Sequence, residues 1–136
     1  MPLDASRIVD GSFGRVYKDG VEQTQVQECT ADVDLDVKEV NVLGDRWTRH
    51  KGGTLKGSGT IKGYKVTSDM IRNGFKRFEL ITQLDDPEAY GAESVRLMNC
   101  MTSKLQLVNL KANDLIDEET PFTFEGYELL DFIEAD

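Results

Sequence analysis

Apolar and polar side chains alternate at every second position along most of the chain, and apolar spacings of three and four are scarce, so the pattern predicts a mainly β fold. Residues 14–18 read as a short strand, Asp19-Gly20 as a two-residue hairpin turn, and Val21 as the start of the return strand. Further on, Asp32-Val-Asp-Leu-Asp-Val-Lys38 puts Val33, Leu35 and Val37 on one face and Asp32, Asp34 and Asp36 on the other. The phase then slips to Val40 and Val42, which predicts a bulge at Lys38 and Glu39 that keeps both apolar sets on one side of a long bent strand. Leu43-Gly44 ends that strand, and residues 45–54, polar, basic and glycine-containing, predict an exposed loop.

The next predicted strand, residues 55–66, carries Gly57, Gly59 and Gly63 on the same face as Ile61. Glycine weakens a strand, so three on one face point to another backbone or subunit pressing close, or else to a simple bend. Thr67, Ser68 and Asp69 supply capping groups, and Gly74 a terminator, for one helix of about two turns. Strands are expected at 77–84, 93–102 and 104–111, with a surface loop over 85–92 and a tight turn at Thr102-Ser103. Ile81, Val95, Leu97, Met98 and Met101 make these strands apolar on both faces, as in a sheet covered on each side. Residues 118–127 read as the last strand, followed by an apolar tail over 129–133 of open form.

A chain of 136 residues, 39% apolar and 30% charged, suits one domain with a core that needs neither disulfides nor metals. Cys29 and Cys100 are too few and too far apart for a disulfide framework or a four-ligand zinc site, and are expected as reduced core residues. No apolar run is long enough to cross a membrane, and the start lacks the basic and apolar segments of a signal peptide, so a cytosolic protein is expected. The net charge of −9 argues against a generally basic, nucleic-acid-holding surface. Its distribution says more: residues 1–112 hold 16 bases and 16 acids, and nine acids between Asp114 and Asp136 supply the whole excess. Residues 45–77 carry nine Lys or Arg against Asp45 and Asp69. A basic middle and an acidic end fit head-to-tail assembly, or simply a solvated surface with sign blocks.

Candidate chemistry is thin. Gly11-Ser-Phe-Gly14-Arg-Val-Tyr-Lys18 looks like a kinase glycine-rich loop, but Val9 stands where the first glycine belongs and no Asp-Phe-Gly follows, so the glycines are read as turn residues. The one histidine, His50, lies among Arg46, Arg49 and Lys51 as an exposed residue. Asp85-Asp86 and Asp117-Glu118-Glu119 are read as solvent-exposed acids, because the glycine-centred calcium loop is absent. No catalytic residue, cofactor or metal is expected, and the chain is read as no enzyme.

The order and spacing of several short segments resemble the tail tube proteins of contractile phage tails, of the PBSX defective-prophage type. They are Gly14-Arg15 with Asp19-Gly20 and Glu22; Glu39-Val-Asn-Val-Leu-Gly44; Arg46, Thr48 and His50-Lys51; Gly57-x-Gly59-Thr60; Tyr64-Lys-Val-Thr-Ser68; and Thr120-Pro-Phe-Thr-Phe-Glu125. The resemblance implies a β-sandwich or split β-barrel with one short flanking α-helix, six copies of which close into a ring. Rings stack into a hollow tube lined by a continuous β-barrel, clad by a sheath, threaded by a tape measure protein and ended by a baseplate. Such a tube passes DNA in a phage and serves as a needle in a phage-tail-like bacteriocin, with assembly expected in the bacterial cytoplasm. It also implies an inter-subunit loop over 45–54 that brings Arg46, Trp47, Arg49, His50 and Lys51 to a neighbour. The likeness runs from about Gly14 to Glu125 and departs beyond Gly126, so within a single domain over 1–136 the N-terminal arm over 1–13 and the acidic tail over 127–136 are read from this sequence alone. Asp32, Asp34 and Asp36 are the expected channel-lining acids. A type VI secretion tube protein, or a small β-barrel holding a ligand or flavin in its mouth, are the alternative readings.

Overall fold

The computed structural model describes residues 2–134, and its strands pair antiparallel throughout. The elements are β1 (Gly14–Lys18), β2 (Val21–Glu22), β3 (Val26–Val40), β4 (Arg49–Tyr64), α1 (Asp69–Asn73), β5 (Phe78–Leu84), β6 (Glu93–Thr102), β7 (Asp117–Phe124) and β8 (Gly126–Asp131), preceded by two 3-10 turns at Ala5–Arg7 and Gly11–Phe13. The expected mainly β fold with one short helix is what forms. Asp19 and Gly20, with φ of 50° and 84°, make the hairpin turn between β1 and β2, both in the left-handed region that such a turn requires.

Two layers share β6. Along residues 93–100 it pairs with β5, along 94–98 with β8, and at Met101 and Thr102 with β7. The change of partner follows Asn99, whose φ of 52° bends the strand at a residue type that tolerates that conformation. One layer is therefore β2-β1-β5-β6-β8 and the other is β3-β4-β7 with the end of β6. Between them lie Val16, Phe78, Leu80, Leu97, Cys100, Phe122 and Phe124, the buried apolar core, with Phe78 meeting Phe122 edge-on at 6.4 Å.

The glycine face of β4 serves the chain's own packing, not a neighbouring subunit. Gly57 pairs with Phe124 and Gly59 with Phe122, and both rings lie across the glycines. A Cβ at Gly59 would stand 2.7 Å from Phe122 Cζ and on top of the Thr30 carbonyl, and one at Gly63 would stand 2.5 Å from the Gln25 carbonyl. Bare backbone at β4 is what lets β7 lay two phenylalanines flat into the core.

Several other expectations change. Residues 49–54 are strand, because Arg49, His50 and Lys51 pair with Val40, Glu39 and Lys38, and the connecting loop shrinks to 41–48. The bulge sits elsewhere: pairing passes from Leu35 with Leu55 to Val37 with Gly52, so Gly53 and Thr54 oppose Asp36, and 37–40 run regularly. Val40 consequently lies on the opposite face from Val37. Residues 104–111 form no strand, since β7 offers them only side-chain-mediated contacts, and Thr102-Ser103 is no hairpin turn. The last predicted strand breaks at Glu125 into β7 and β8, so residues 126–131 of the tail pair with β6. Asp86 is buried, not exposed: its carboxylate accepts the Asp10 and Glu88 amides at 2.9 Å each and pins the N-terminal segment to the 85–92 loop.

Candidate assembly interface

β7 covers β4 only along residues 57–64, so residues 49–56 of β4 and the paired part of β3 leave the sheet as a two-stranded ribbon. At about 3.3 Å per residue the ribbon projects roughly 26 Å. A two-stranded ribbon is marginal in water on its own. This one carries Leu35, Val37, Val40 and Leu55, all large apolar side chains exposed to solvent.

Its tip is held by its own side chains. Asp45 accepts the Trp47 amide at 3.0 Å and Arg49 Nε at 3.0 Å, two bonds that hold its carboxyl below the usual carboxylate range. Thr48 Oγ1 donates to Asn41 Oδ1 at 3.0 Å and closes the neck. Trp47 stands on this frame 76% exposed, beside Leu43, Arg46, His50 and Lys51, all of them exposed. The structure therefore gathers Arg46, Trp47, Arg49, His50 and Lys51 at one end of the molecule.

Asp32, Asp34 and Asp36 are exposed as well, but not in one setting. Cys29, Ala31 and Val33 line the open cleft between the layers, so Asp32 and Asp34 point away from the core. Asp32 lies within the sheet opposite Ser58, Asp34 at the root of the ribbon opposite Lys56, and Asp36 out on the ribbon at the bulge. The outward face of the β3-β4-β7 layer is polar along its register, with Thr30 against Thr60, Glu28 against Lys62, and Lys62 against Glu119. Sequence reasoning missed this wider face, which the cross-strand register alone reveals.

Two long margins have no strand partner. Among the described residues nothing pairs beyond β3, and β8 is held only on its β6 side. Bare margins of this length recruit further strands. The cleft between the layers, about 710 Å³, adds Val26, Val95 and Leu129 to the accessible apolar surface. In all, the chain exposes 10187 Å². A compact monomer of its 15.3 kDa exposes about 7,100 Å².

No group of three or more His, Cys, Asp or Glu side chains able to hold a metal occurs among the described residues. Cys29 and Cys100 are unpaired with one another, and burial pushes each thiol up to about 11, which leaves them protonated and unreactive at neutral pH. Among the described residues no helix is long and apolar enough to cross a membrane.

A family model described as phage tail tube protein matches residues 1–131. The chain belongs to the phage tail tube protein family. It is 33% identical to protein XkdM of the phage-like element PBSX from Bacillus subtilis strain 168, over 95% of both chains. Its fold is similar to that of the sheath/tube terminator of an extracellular contractile injection system, PVC, with a TM-score of 0.70, 12% identity and coverage of 96% and 98% of the two chains. It is also similar to a chain in the tail of a gene transfer agent particle resolved with C6 symmetry, with a TM-score of 0.61, 13% identity and coverage of 90% and 98%. The tail tube chain is a structural component of a phage-like particle and not an enzyme. That role fits a surface rich in exposed apolar groups and free sheet margins.

Proposed function

We propose that six copies of this chain close into a ring and that the rings stack into the inner tube of a contractile tail or a phage-tail-like particle. The observation that carries this reading is the exposed area, about 3,000 Å² beyond what a compact monomer of this mass presents, an excess on the scale of an obligate interface. The C6 symmetry of the gene transfer agent tail supports the number six. The ribbon tip is the stacking contact: Trp47 and Leu43 supply apolar area, and Arg46, Arg49, His50 and Lys51 supply charge that selects an acidic partner surface. The acidic segment over 127–136 and the arm over 1–13 complete the inter-ring contacts.

The outward face of the β3-β4-β7 layer forms the channel wall. Glu28, Asp32, Asp34, Asp117 and Glu119 outnumber Lys56 and Lys62 there, and an acidic wall lets a phosphate polymer slide where a basic one would hold it. Sheath, tape measure and baseplate proteins are the partners of such a tube, DNA crosses it only in transit, and assembly takes place in the bacterial cytoplasm. Negative-stain microscopy of concentrated protein tests the reading together with Trp47→Ala. Wild type is expected to give six-fold rings or tubes, and Trp47→Ala to lose stacking with a nearly unchanged melting temperature, because the indole is 76% exposed within the subunit. A particle that stays monomeric at every concentration overturns the proposal.

A further inference from the structure

The two layers part at one end of the molecule. β7 pairs with β4 as far as Phe124 and Gly57; beyond that pair β4 continues into the ribbon, while β8 turns away with β6. The cleft lies in this fork, with Val33 at the ribbon root on one side, Leu84, Val95 and Leu129 on the other, and Phe124 at the branch. The strand ends beside it are acidic. Glu93 pairs with Leu84, Asp85 follows Leu84 in the chain, and Asp131 pairs with Ser94. All three acids are exposed, and none of them forms an ion pair among the described residues. Within the cleft, Glu22 offsets Arg15, the single base in the lining.

The opposite end carries the complement. Gly14, the first residue of β1, lines the cleft, whereas Lys18, its last, lies with Tyr64 and with Met70 of α1. β5 starts there at Phe78 and ends at Leu84, about 20 Å away at about 3.3 Å per residue. Val66 and Phe75, 72% and 58% exposed, flank the five-residue helix, which Gly74 closes by donating to the Met70 and Ile71 carbonyls. Residues 65–77 hold Lys65, Arg72, Lys76 and Arg77 against Asp69 alone. Glu125 holds Arg77 at 3.1 Å, and the other three bases form no ion pair among the described residues. Resting on the tube reading above, we infer that the α1 end of a subunit in one ring plugs the cleft of a subunit in the next, with Val66 and Phe75 entering the fork and Lys65, Arg72 and Lys76 meeting Asp85, Glu93 and Asp131. Each surface supplies what the other lacks: exposed apolar side chains for an apolar fork, and unpaired bases for unpaired acids. Plug and socket sit at opposite ends of one chain, so the contact is heterologous and repeats along an axis without closing. The ribbon forms one wall of the socket, which gives this two-stranded element an apolar surface to lie against.

The test reverses the charge of each surface separately. A socket variant carries Asp85→Lys with Glu93→Lys, and a plug variant carries Arg72→Glu with Lys76→Glu. Both are expected to melt as wild type does, because the exchanged side chains are exposed and unpaired. Under negative-stain microscopy each variant alone is expected to give single rings and to need at least tenfold more protein than wild type to stack. Mixed in equal amounts, the two are expected to form tubes again, because every altered plug then meets an altered socket and every native plug a native one. Phe75→Ser is expected to give rings that stack as poorly as either charge variant. A reversed variant that stacks alone at wild-type concentration, or a mixture that stays as single rings, overturns the plug and leaves the cleft to another occupant, with the tube reading intact. Failure of wild type to form rings or tubes under any condition overturns the tube reading and the plug with it.

Discussion

Adding one methyl group at Gly59 is the sharpest test of how the layers fit together. A Cβ there lies on the Thr30 carbonyl and 2.7 Å from Phe122 Cζ, so β3 must part from β4 and the Phe122 ring, among the most deeply buried side chains described, must also shift. Overpacking of this kind costs about 1–3 kcal/mol. Parting the strands weakens the flanking ladder bonds, at about 1 kcal/mol each. A loss of about 3–4 kcal/mol, at roughly 4 °C per kcal/mol for a chain of this length, lowers the melting point of Gly59→Ala by about 12–16 °C. Gly57→Ala first meets the Phe124 ring, with Cδ2 at 2.6 Å, and Gly52→Ala meets only the Leu35 methyls, at 3.5 Å and beyond. The assay is thermal unfolding by far-ultraviolet circular dichroism at a dilution where subunits are separate. Phe124→Leu is expected to rescue Gly57→Ala by a coupling of at least about 1 kcal/mol. Phe122→Leu cannot rescue Gly59→Ala, because the carbonyl beneath the methyl does not move. Gly52→Ala is expected to stay within about 0.5 kcal/mol of wild type. A Gly59→Ala chain that melts like wild type, or a Phe122→Leu rescue as large as that of Phe124→Leu, would refute the close strand approach.

Asp86→Asn removes a buried charged acceptor that two amides share, and is expected to cost about 1–3 kcal/mol and to open residues 2–13 to limited proteolysis, read by mass spectrometry of the trimmed chain. Burial raises the Glu118 carboxyl above its ordinary 4.5, with Lys65 opposing in part. The folded state therefore binds this proton more tightly than the unfolded chain, so the group's contribution to stability is fully present below about pH 4.5 and is lost as pH rises through the elevated folded value. Glu118→Gln is accordingly expected to melt slightly higher than wild type at pH 7 and to show no such advantage at pH 4, both read from the same unfolding curves.

Where the chain's own atoms decide the outcome, the sequence was a good guide. Asp19-Gly20 announces its turn because few residues accept two consecutive positive φ values, and β6 falls over residues 93–102 as the sequence predicts. The glycines of β4 were recognisable as a close approach, but only the register shows that Phe122 and Phe124 are what approaches. The slip in apolar phase predicts a bulge at Lys38 and Glu39 only for a strand that must keep one face apolar. The ribbon has no core beneath it and obeys no such demand. Asp86 looked like a solvated neighbour of Asp85. Its burial depends on the amide of Asp10, 76 positions away, which no local pattern reports. The tip residues Arg46, Trp47, Arg49, His50 and Lys51 were legible as a cluster because they are close in sequence, whereas the polar face that includes Asp32 needed the pairing of three strands.

The disagreement over residues 104–111 has a different origin. A strand pattern states what a segment is able to pair with, and pairing takes a second strand that the same chain need not provide. Within this subunit β7 is committed to β4 along its whole length and reaches the segment only through Gln106 and Asn109. Leu107, Val108 and Leu110 therefore remain in water at a cost that an isolated monomer has no means to recover. The same holds for Leu35, Val37 and Val40 on the ribbon and for Trp47 at its tip. A sequence selected to fold alone would replace such residues with charged ones. Their alternation is kept in a subunit that leaves them exposed, which the tube-forming reading proposed above accounts for: a periodicity that one copy does not complete is the pattern expected of a chain whose apolar surface is covered by assembly.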